Sequence, residues 1–301
     1  MAAVSELLRR CTEGWSPTQW LTTATWIFIA AFVAVEMLGI HSTAPDRPPV
    51  GTAAGPDLRA TARREARTAL GMVAGALVVG VAYGAVFAAL WRSVGAFAPA
   101  GLVGFWQRHP VLTALCAFVA WDFSGWIYHV IGHRTRFGWA AHSAHHSGSL
   151  YNASLALRLT WMPWHGLLHH PLIALAGFPL EVILGCLAVS SAMQAVQHSS
   201  ILPIAPRWLT AIVMTPEAHR LHHDPEGAET NLGPVFTVWD RFAGTWYRPD
   251  TDPAVRDPWI ATPDSTTPGA LRVQLAGWRR LIANTPLPSA TPGGRRWSTH
   301  R

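Results

Sequence analysis

The chain has 301 residues, of which 50% are hydrophobic and only 13% are charged, and its formal net charge is +6. So few charged side chains could not cover the surface of a soluble protein, and the composition therefore favours a membrane protein. The arginines are dispersed and form no basic groove pattern, so we predict no nucleic-acid partner and attribute the positive charge to attraction for anionic lipid.

Five apolar stretches are candidates for membrane helices. Three of them, residues 20–40, 69–91 and 111–130, have about the twenty residues needed to cross a bilayer. Two shorter stretches, 164–176 and 180–196, are separated by Gly177-Phe178-Pro179, which predicts a hairpin tip. The first stretch lacks a small-residue cleavage pattern and is predicted to be an anchor. We therefore predict an all-α integral membrane protein with four to five hydrophobic helices, two of them forming a short hairpin.

The orientation follows from the arginines that flank these helices. The loop at 41–68 contains Arg47, Arg59, Arg63, Arg64 and Arg67, whereas the loop at 92–110 contains only Arg92 and Arg108. By the positive-inside rule the first loop is cytoplasmic, and the third helix ends on the same side. The absence of lysine and the abundance of Ala, Gly and Pro are typical of a GC-rich bacterial genome, so we expect a bacterial plasma membrane.

The C-terminal third is more polar and rich in proline. Residues 269–282 form a candidate amphipathic helix, which fits either a membrane surface or a helix packed on the rest of the protein. The Pro, Ser, Gly and Arg content of residues 286–301 predicts a disordered tail. We expect residues 1–285 to form one domain, with a motif-bearing core at 111–248.

Histidine spacing is the strongest functional signal. The spacing His-x-x-His-His occurs twice downstream of a His-x-x-x-His pair, and residues three and four apart share one face of a helix. With His198 at the end of the fifth helix, the candidate metal ligands are His129, His133, His142, His145, His146, His198, His219, His222 and His223. Nine candidates exceed the four ligands of a structural zinc site, so we predict two metal ions. Imidazole ligands suit Fe, Zn, Cu or Ni, and spacing alone does not choose among them.

Asp122 lies two turns before His129 on the same predicted helix. An ionisable residue within a span is costly, so a functional role is expected. We predict that Asp122 accepts a hydrogen bond from a ligand histidine; the alternative is pairing with Arg134 or with a polar group on another helix. A further cluster, His165, His169 and His170, is interpreted as interfacial, with a substrate wall or metal ligation as alternatives.

Missing motifs weigh against several other chemistries. The chain has no His-Glu-x-x-His of zinc proteases and no Glu-x-x-His pair of carboxylate-bridged di-iron bundles. Its three cysteines, Cys11, Cys116 and Cys186, are far apart, which excludes a disulfide framework and an iron–sulfur cluster. Electrons must therefore come from another protein or from a small reductant.

At these residues the chain resembles the fatty acid hydroxylase and sterol desaturase superfamily, whose members are membrane enzymes with a histidine-ligated di-iron centre. The resemblance covers about 119–246. It rests on Asp122 to His133, on both histidine triplets, on Tyr151-Asn152-Ala-Ser154-Leu-Ala-Leu157-Arg158, on Gln197-His198, on Thr215-Pro216, on Asn231-Leu-Gly233 and on Trp239-Asp240-Arg241-Phe242-Ala-Gly244-Thr245. The Asn-x-Ser run and the Trp-Asp-Arg-Phe ending are similar to the branch that contains alkylglycerol monooxygenase.

The resemblance implies an enzyme that uses two iron ions and O2 to oxidise an unactivated C–H bond of a fatty acyl, ether or sterol-like lipid. It also implies an external electron donor, either a pterin or a ferredoxin with its reductase. Zinc can replace iron in a purified sample. The chain departs from the family at Val130, where Arg is usual, and at Trp126, where Tyr is usual, so the substrate of a relative should not be copied.

Three further residues have open interpretations. We expect Asn152 and Arg158 to line the substrate entrance, with Arg158 contacting a phosphate or supporting the histidine cap. A purely structural Arg158 paired with Asp224 or Asp240 is the alternative. Glu36 is interpreted as a side chain that snorkels to the cytoplasmic interface.

The functional prediction is a lipid hydroxylase with a cytoplasmic histidine cap. A desaturase is the nearest alternative, and a zinc-dependent membrane hydrolase or a non-catalytic metal-binding or transport protein are the others.

Overall fold

The computed structural model describes residues 14, 16–43, 58–162, 164–224, 229–248, 260 and 269–284. These residues form helices and connecting loops, and they include an isolated β bridge between Val213 and Phe236. The helices are α1 Pro17–Thr43, α2 Leu58–Gly95, α3 Ala100–Arg108, α4 Pro110–Arg134, α5 Arg136–His142, α6 Trp164–Leu175, α7 Leu180–Gln197, α8 Arg207–Thr210, α9 Pro216–His223, α10 Val238–Ala243 and α11 Ala270–Ile282. The predicted all-α class is confirmed.

Four helices, α1, α2, α4 and α7, are long and apolar enough to cross a membrane. The chain is therefore a multi-pass membrane protein. Helix α6 precedes α7 as the predicted hairpin, but it has 12 residues and contains Pro171, so it is only about 18 Å long. That length is shorter than a hydrocarbon core of about 30 Å.

Helix α2 is longer than its apolar pattern predicts. It begins at Leu58, so the arginines that we placed in a loop at 59–67 are helical, and its 38 residues are about 57 Å long. Its first four turns bury Thr61, Ala62, Glu65 and Thr68, whereas none of the residues in its most apolar 18-residue stretch is buried. Hydropathy identified only the part of α2 that crosses the membrane. Residues 92–110 also differ from the prediction, because they contain the helix α3.

Helix α4 presents one continuous apolar stripe on the outside of the bundle. Its exposed members recur every four residues and are Val111, Leu115, Val119, Phe123 and Ile127. We call these residues the lipid-facing stripe. The opposite face of α4 packs with α2, α6 and α7 in a core that contains Ala117, Trp91, Ile173 and Ile183.

Helix α11 packs on α5, so the cap-packed alternative of the sequence prediction is the observed one. The buried residues of α11 are Val273, Gln274 and Gly277. The spacing of Leu271, Leu275, Trp278 and Ile282 predicts an apolar face on this helix, but Leu271, Leu275 and Ile282 are exposed, so that face is not the buried one. Gln274 fixes the helix by donating to the Leu159 carbonyl oxygen at 2.7 Å and accepting from the Trp161 backbone nitrogen at 3.0 Å.

The close approach of α11 and α5 depends on a glycine. A Cβ atom at Gly277 would collide with the carbonyl oxygen of Ala140 and the hydroxyl of Ser143. We expect Gly277→Ala to lower the free energy of unfolding by about 1–3 kcal/mol, the usual cost of overpacking. The matched control is Gly80→Ala, because Gly80 lies in α2 and a methyl group added there would meet no atom within 4 Å. Thermal unfolding in detergent should show a lower midpoint temperature for Gly277→Ala and an unchanged one for Gly80→Ala. Equal midpoints for the two variants would contradict the prediction.

Candidate metal centre

The nine predicted histidines converge into two groups. In each group, one ring nitrogen of every member lies within 4.8 Å of those of the other members. The five-histidine group consists of His129, His133, His142, His146 and His222, and the four-histidine group consists of His145, His198, His219 and His223. All nine candidates are present, and none lies apart.

The two groups adjoin because consecutive histidines point to different groups. His145 belongs to the four-histidine group and His146 to the five-histidine group, and the pair His222 and His223 divides in the same way. The His146 and His223 rings, one from each group, stack with centroids 4.3 Å apart. The two triplets therefore build a double site.

The spacing of the ring nitrogens fits metal coordination. In the five-histidine group the Nε2 atom of His142 lies 3.0 Å from that of His129 and 3.1 Å from that of His146. In the four-histidine group the corresponding distances from His198 are 3.1 Å to His219 and 3.2 Å to His145. Neighbouring ligands about 2.0–2.1 Å from one metal ion are separated by about 2.8–3.0 Å at octahedral angles and about 3.3–3.4 Å at tetrahedral angles, so both groups fit a bound ion.

Backbone carbonyls orient the imidazoles. The Nδ1 atoms donate to carbonyl oxygens in three cases: His129 to Leu232 at 2.7 Å, His222 to Thr230 at 3.0 Å and His198 to Gln194 at 2.6 Å. A nitrogen that donates carries the proton, so Nε2 keeps its lone pair and faces the group. These outer contacts select the tautomer that binds metal.

Burial keeps the cap histidines neutral. Desolvation, followed by repulsion from neighbouring histidines, lowers the pKa of His146, His219 and His223 well below the ordinary value. Desolvation also lowers the pKa of His198 to about 4. Neutral imidazole is the form that binds a metal ion. The buried Nε2 atom of His133 has no hydrogen-bond partner among the described residues, and such an atom is rare in proteins unless an ion or water satisfies it.

The segment that contains this double site is similar to a known protein family. Residues 114–245 match the family model described as fatty acid hydroxylase, and all nine histidines lie inside that range. The match covers less than half of the chain, and over this segment the chain is similar to the fatty acid hydroxylase family. The superfamily resemblance predicted from the motifs is thereby confirmed.

Several curated relatives are alkylglycerol monooxygenases. The chain is 32% identical to the one from Caenorhabditis elegans over 128 residues, which is 42% of this chain and 25% of that protein. It is 30% identical to the Danio rerio protein over 146 residues, 46% of this chain and 31% of the relative. The Homo sapiens protein is 30% identical over 137 residues, 43% of this chain and 29% of the relative. The chain thus matches only about a quarter to a third of the length of these relatives. No solved structure matches the chain.

Within the hydroxylase segment, Asp122 contacts a loop and not a histidine. Its carboxylate accepts from the backbone nitrogens of Val235 at 2.8 Å and Phe236 at 3.2 Å, and from the indole of Trp239 at 2.7 Å. The predicted hydrogen bond to a ligand histidine is therefore wrong. The reason is distance, because seven residues along a helix separate Asp122 from His129 by about 10 Å.

Asp240 holds the same loop from its other side. It accepts from the backbone nitrogens of Leu232 at 3.0 Å and Gly233 at 2.6 Å. The loop also contacts the metal centre, because the carbonyl oxygen of Leu232 accepts a hydrogen bond from the Nδ1 atom of His129. Asp122 and Asp240 thus act on the five-histidine group indirectly, because they hold the loop backbone that contacts His129.

Asn152 and Arg158 support the turn that carries the first triplet. Asn152 is fully buried, and its side chain accepts from the Ser154 backbone nitrogen at 2.9 Å. Arg158 donates to the hydroxyl of Ser147 at 2.6 Å and pairs with Glu65 at 3.7 Å. The predicted alternative partners of Arg158, Asp224 and Asp240, are wrong, because the first turns of α2 bring Glu65 to this side chain. The predicted role of both residues at a substrate entrance stays a prediction.

Two carboxylates, one from α1 and one from α2, accept hydrogen bonds from segments beside the histidines. Glu36 is completely buried and accepts from the Ser200 backbone nitrogen at 2.6 Å, so the snorkelling interpretation is wrong. Glu65 was missed by the sequence analysis, and it accepts from the backbone nitrogens of Ser149 at 2.7 Å and Leu150 at 3.3 Å. A lone acid near or within an apolar span was the signal that could have found it.

The third histidine cluster is described only in part. The side chains of His165 and His169 lie outside the described residues. The ring of His170 packs against Trp121 and Phe87, with centroid distances of 5.0 and 4.6 Å, and it belongs to neither metal group.

Proposed function

We propose that this chain is an O2-dependent di-iron monooxygenase that hydroxylates an unactivated C–H bond of a lipid. The observation that carries the proposal is the pair of adjoining groups of buried histidines inside a fatty acid hydroxylase segment. The four apolar helices favour a substrate that reaches the site from the membrane. A lipid is such a substrate.

Each histidine group would hold one iron ion. Imidazole suits iron but also zinc, copper and nickel, so the preference for iron rests on the superfamily. When bound, the two ions supply the reductive activation of O2 on which C–H oxidation depends. The protein contributes neutral imidazoles, carbonyl contacts that fix their rings and burial that excludes water. Zinc can occupy the same groups in a purified sample.

The catalytic contribution of Asp122, Asn152 and Arg158 is to position the ligand-bearing segments. Asp122 holds the loop that contacts His129, and Arg158 bonds Ser147, which directly follows His146. None of these contacts reaches a histidine ring through a side-chain hydrogen bond, so we assign all three residues an indirect role.

The relatives are named alkylglycerol monooxygenase, which supports an ether lipid or another long-chain lipid as substrate. The proposed reductant is external, either a pterin or a ferredoxin with its reductase, and it rests on the motif resemblance alone. Val130 and Trp126 replace residues that are usual in the superfamily and adjoin His129 on α4, so the substrate class is proposed only to the level of a lipid.

The proposed location is a bacterial plasma membrane with the histidine cap in the cytoplasm. Glu65 bonds the segment that follows the first triplet, so the arginine-rich start of α2 lies on the cap side. Positive charge favours the cytoplasmic side of a membrane. The cap is therefore assigned to that side.

Oxygen consumption tests the proposal. Protein loaded with iron in lipid nanodiscs is expected to consume O2 only when both a reductant and a lipid substrate are present. Lipidomics of a deletion strain and its parent would supply the substrate, and isotopically labelled O2 should transfer one oxygen atom into the product. A product that gains a double bond and no oxygen would identify a desaturase. Turnover without O2 would identify a zinc hydrolase, and metal retention or flux without any product would identify a binding or transport protein.

A further inference from the structure

Of the large apolar side chains that are exposed after α7, four lie on the two segments 207–213 and 232–243. Phe242 is 92% exposed, Trp208 67%, Ile212 56% and Val238 50%. Isolated exposed apolar residues are ordinary, but a cluster of this size marks a surface that contacts something other than water.

These four residues belong to one surface because backbone hydrogen bonds join their segments. The Thr237 backbone nitrogen donates to the Ile212 carbonyl at 3.1 Å, and the Met214 nitrogen donates to the Val235 carbonyl at 2.7 Å. The Thr237 hydroxyl also donates to the Ala211 carbonyl at 2.8 Å. We call the surface formed by Trp208, Ile212, Val238 and Phe242 the apolar patch.

The patch lies beside the middle of a membrane-crossing helix. The loop before α10 bonds Asp122, which is twelve residues from either end of α4 and therefore about 18 Å from both. Trp239 contacts Phe123 of the lipid-facing stripe, with ring centroids 4.8 Å apart. The stripe continues for one more turn beyond this contact, to Ile127. The patch is thus continuous with the surface of α4 that faces lipid.

Non-helical backbone at this depth must have all its polar groups satisfied. The two buried aspartates satisfy four of its backbone N–H groups, since Asp122 accepts from Val235 and Phe236 and Asp240 accepts from Leu232 and Gly233. This requirement explains why the apolar α4 carries a carboxylate at its centre.

A cavity of about 390 Å³ lies where α10 meets α4. It is lined by Leu115, Cys116, Val119, Ala120, Phe123 and Trp239. Three of these are members of the lipid-facing stripe. The cavity is therefore at the lipid boundary, where an acyl chain fits its apolar lining.

We propose that residues 207–213 and 232–243 form a re-entrant unit that enters the bilayer beside α4. The apolar patch contacts lipid acyl chains, and the cavity under Trp239 accepts part of one. This inference concerns membrane insertion and does not depend on the proposed reaction or on bound metal.

Depth-dependent fluorescence tests the proposal on the full chain in phosphatidylcholine nanodiscs. An environment-sensitive fluorophore is attached to Phe242→Cys, in a background in which Cys11, Cys116 and Cys186 are replaced with alanine. We expect blue-shifted emission that doxyl-labelled acyl chains quench and iodide does not. Leu115→Cys, in the lipid-facing stripe, is the membrane reference, and Arg63→Cys, exposed on the first turns of α2, is the aqueous reference.

Val238→Cys provides a second reporter in case one labelled variant does not fold. Quenching of both reporters by iodide to the level of Arg63→Cys would overturn the proposal, because the patch would then face water. Resistance to both quenchers would also overturn it, because the patch would then be covered by protein, such as a second copy of this chain.

Discussion

Replacing His219 with alanine is expected to lower bound metal from about two ions per chain to about one, and to abolish lipid oxidation. His219 belongs to the four-histidine group, so the substitution leaves three imidazoles for one ion. His133→Ala should lose less metal than His219→Ala, because the five-histidine group keeps four members. The asymmetry follows from the number of donors in each group.

Elemental analysis for iron and zinc on purified protein measures this difference. His109→Ala is the matched control, because His109 is exposed and belongs to neither group. It should retain both ions and full turnover. If His219→Ala kept two ions and remained active, the four-histidine group would not be a metal site.

The membership of the double site was predictable, but its division was not. Helical spacing brings residues three and four apart to one face, and this alone selected the triplet that ends at His146 and the one that ends at His223. The first triplet instead crosses from α5 into a separate short turn, His145–Ser147. That break sends His145 and His146 to different groups, and no local pattern in the sequence encodes it.

Contacts between distant segments account for most of the errors. The sequence indicated that Asp122 and Glu36 were unusual, since each is an acid in an apolar span. Their partners, Val235 and Ser200, are 113 and 164 residues away along the chain. Periodicity contains no information on such pairs, so the expected partners were chosen from nearby residues.

The same contacts bear on the extent of the domain. The family segment begins at residue 114, so α1 and α2 lie outside it. Nevertheless Glu36 of α1 and Glu65 of α2 accept hydrogen bonds from within that segment. Removing α1 and α2 would leave the partly buried backbone donors of Ser200 and Ser149 without these partners. The single domain at 1–285 stays a prediction.

Substitution of Asp240 is expected to weaken one metal site and spare the other. Asp240→Asn replaces a carboxylate oxygen with a donor that faces a backbone nitrogen of Leu232 or Gly233, so the loop loses one hydrogen bond. The carbonyls of Leu232 and Thr230 orient His129 and His222, both of the five-histidine group. Losing such an outer contact typically costs about 10–100-fold in metal affinity.

The four-histidine group should retain its affinity, because the carbonyl that orients His198 belongs to Gln194 on α7 and not to this loop. Titration of the metal-loaded protein with a chelator should therefore resolve one weakened and one unchanged site. Glu181→Gln is the matched control, because Glu181 is an exposed acid at the start of α7 and remote from the loop in sequence. Equal weakening of both sites would indicate general unfolding, and two unchanged sites would show that Asp240 does not position the ligands. Only a loss of affinity confined to the five-histidine group supports a positioning role for Asp240, in which its carboxylate acts on His129 and His222 through the loop backbone that lies between them.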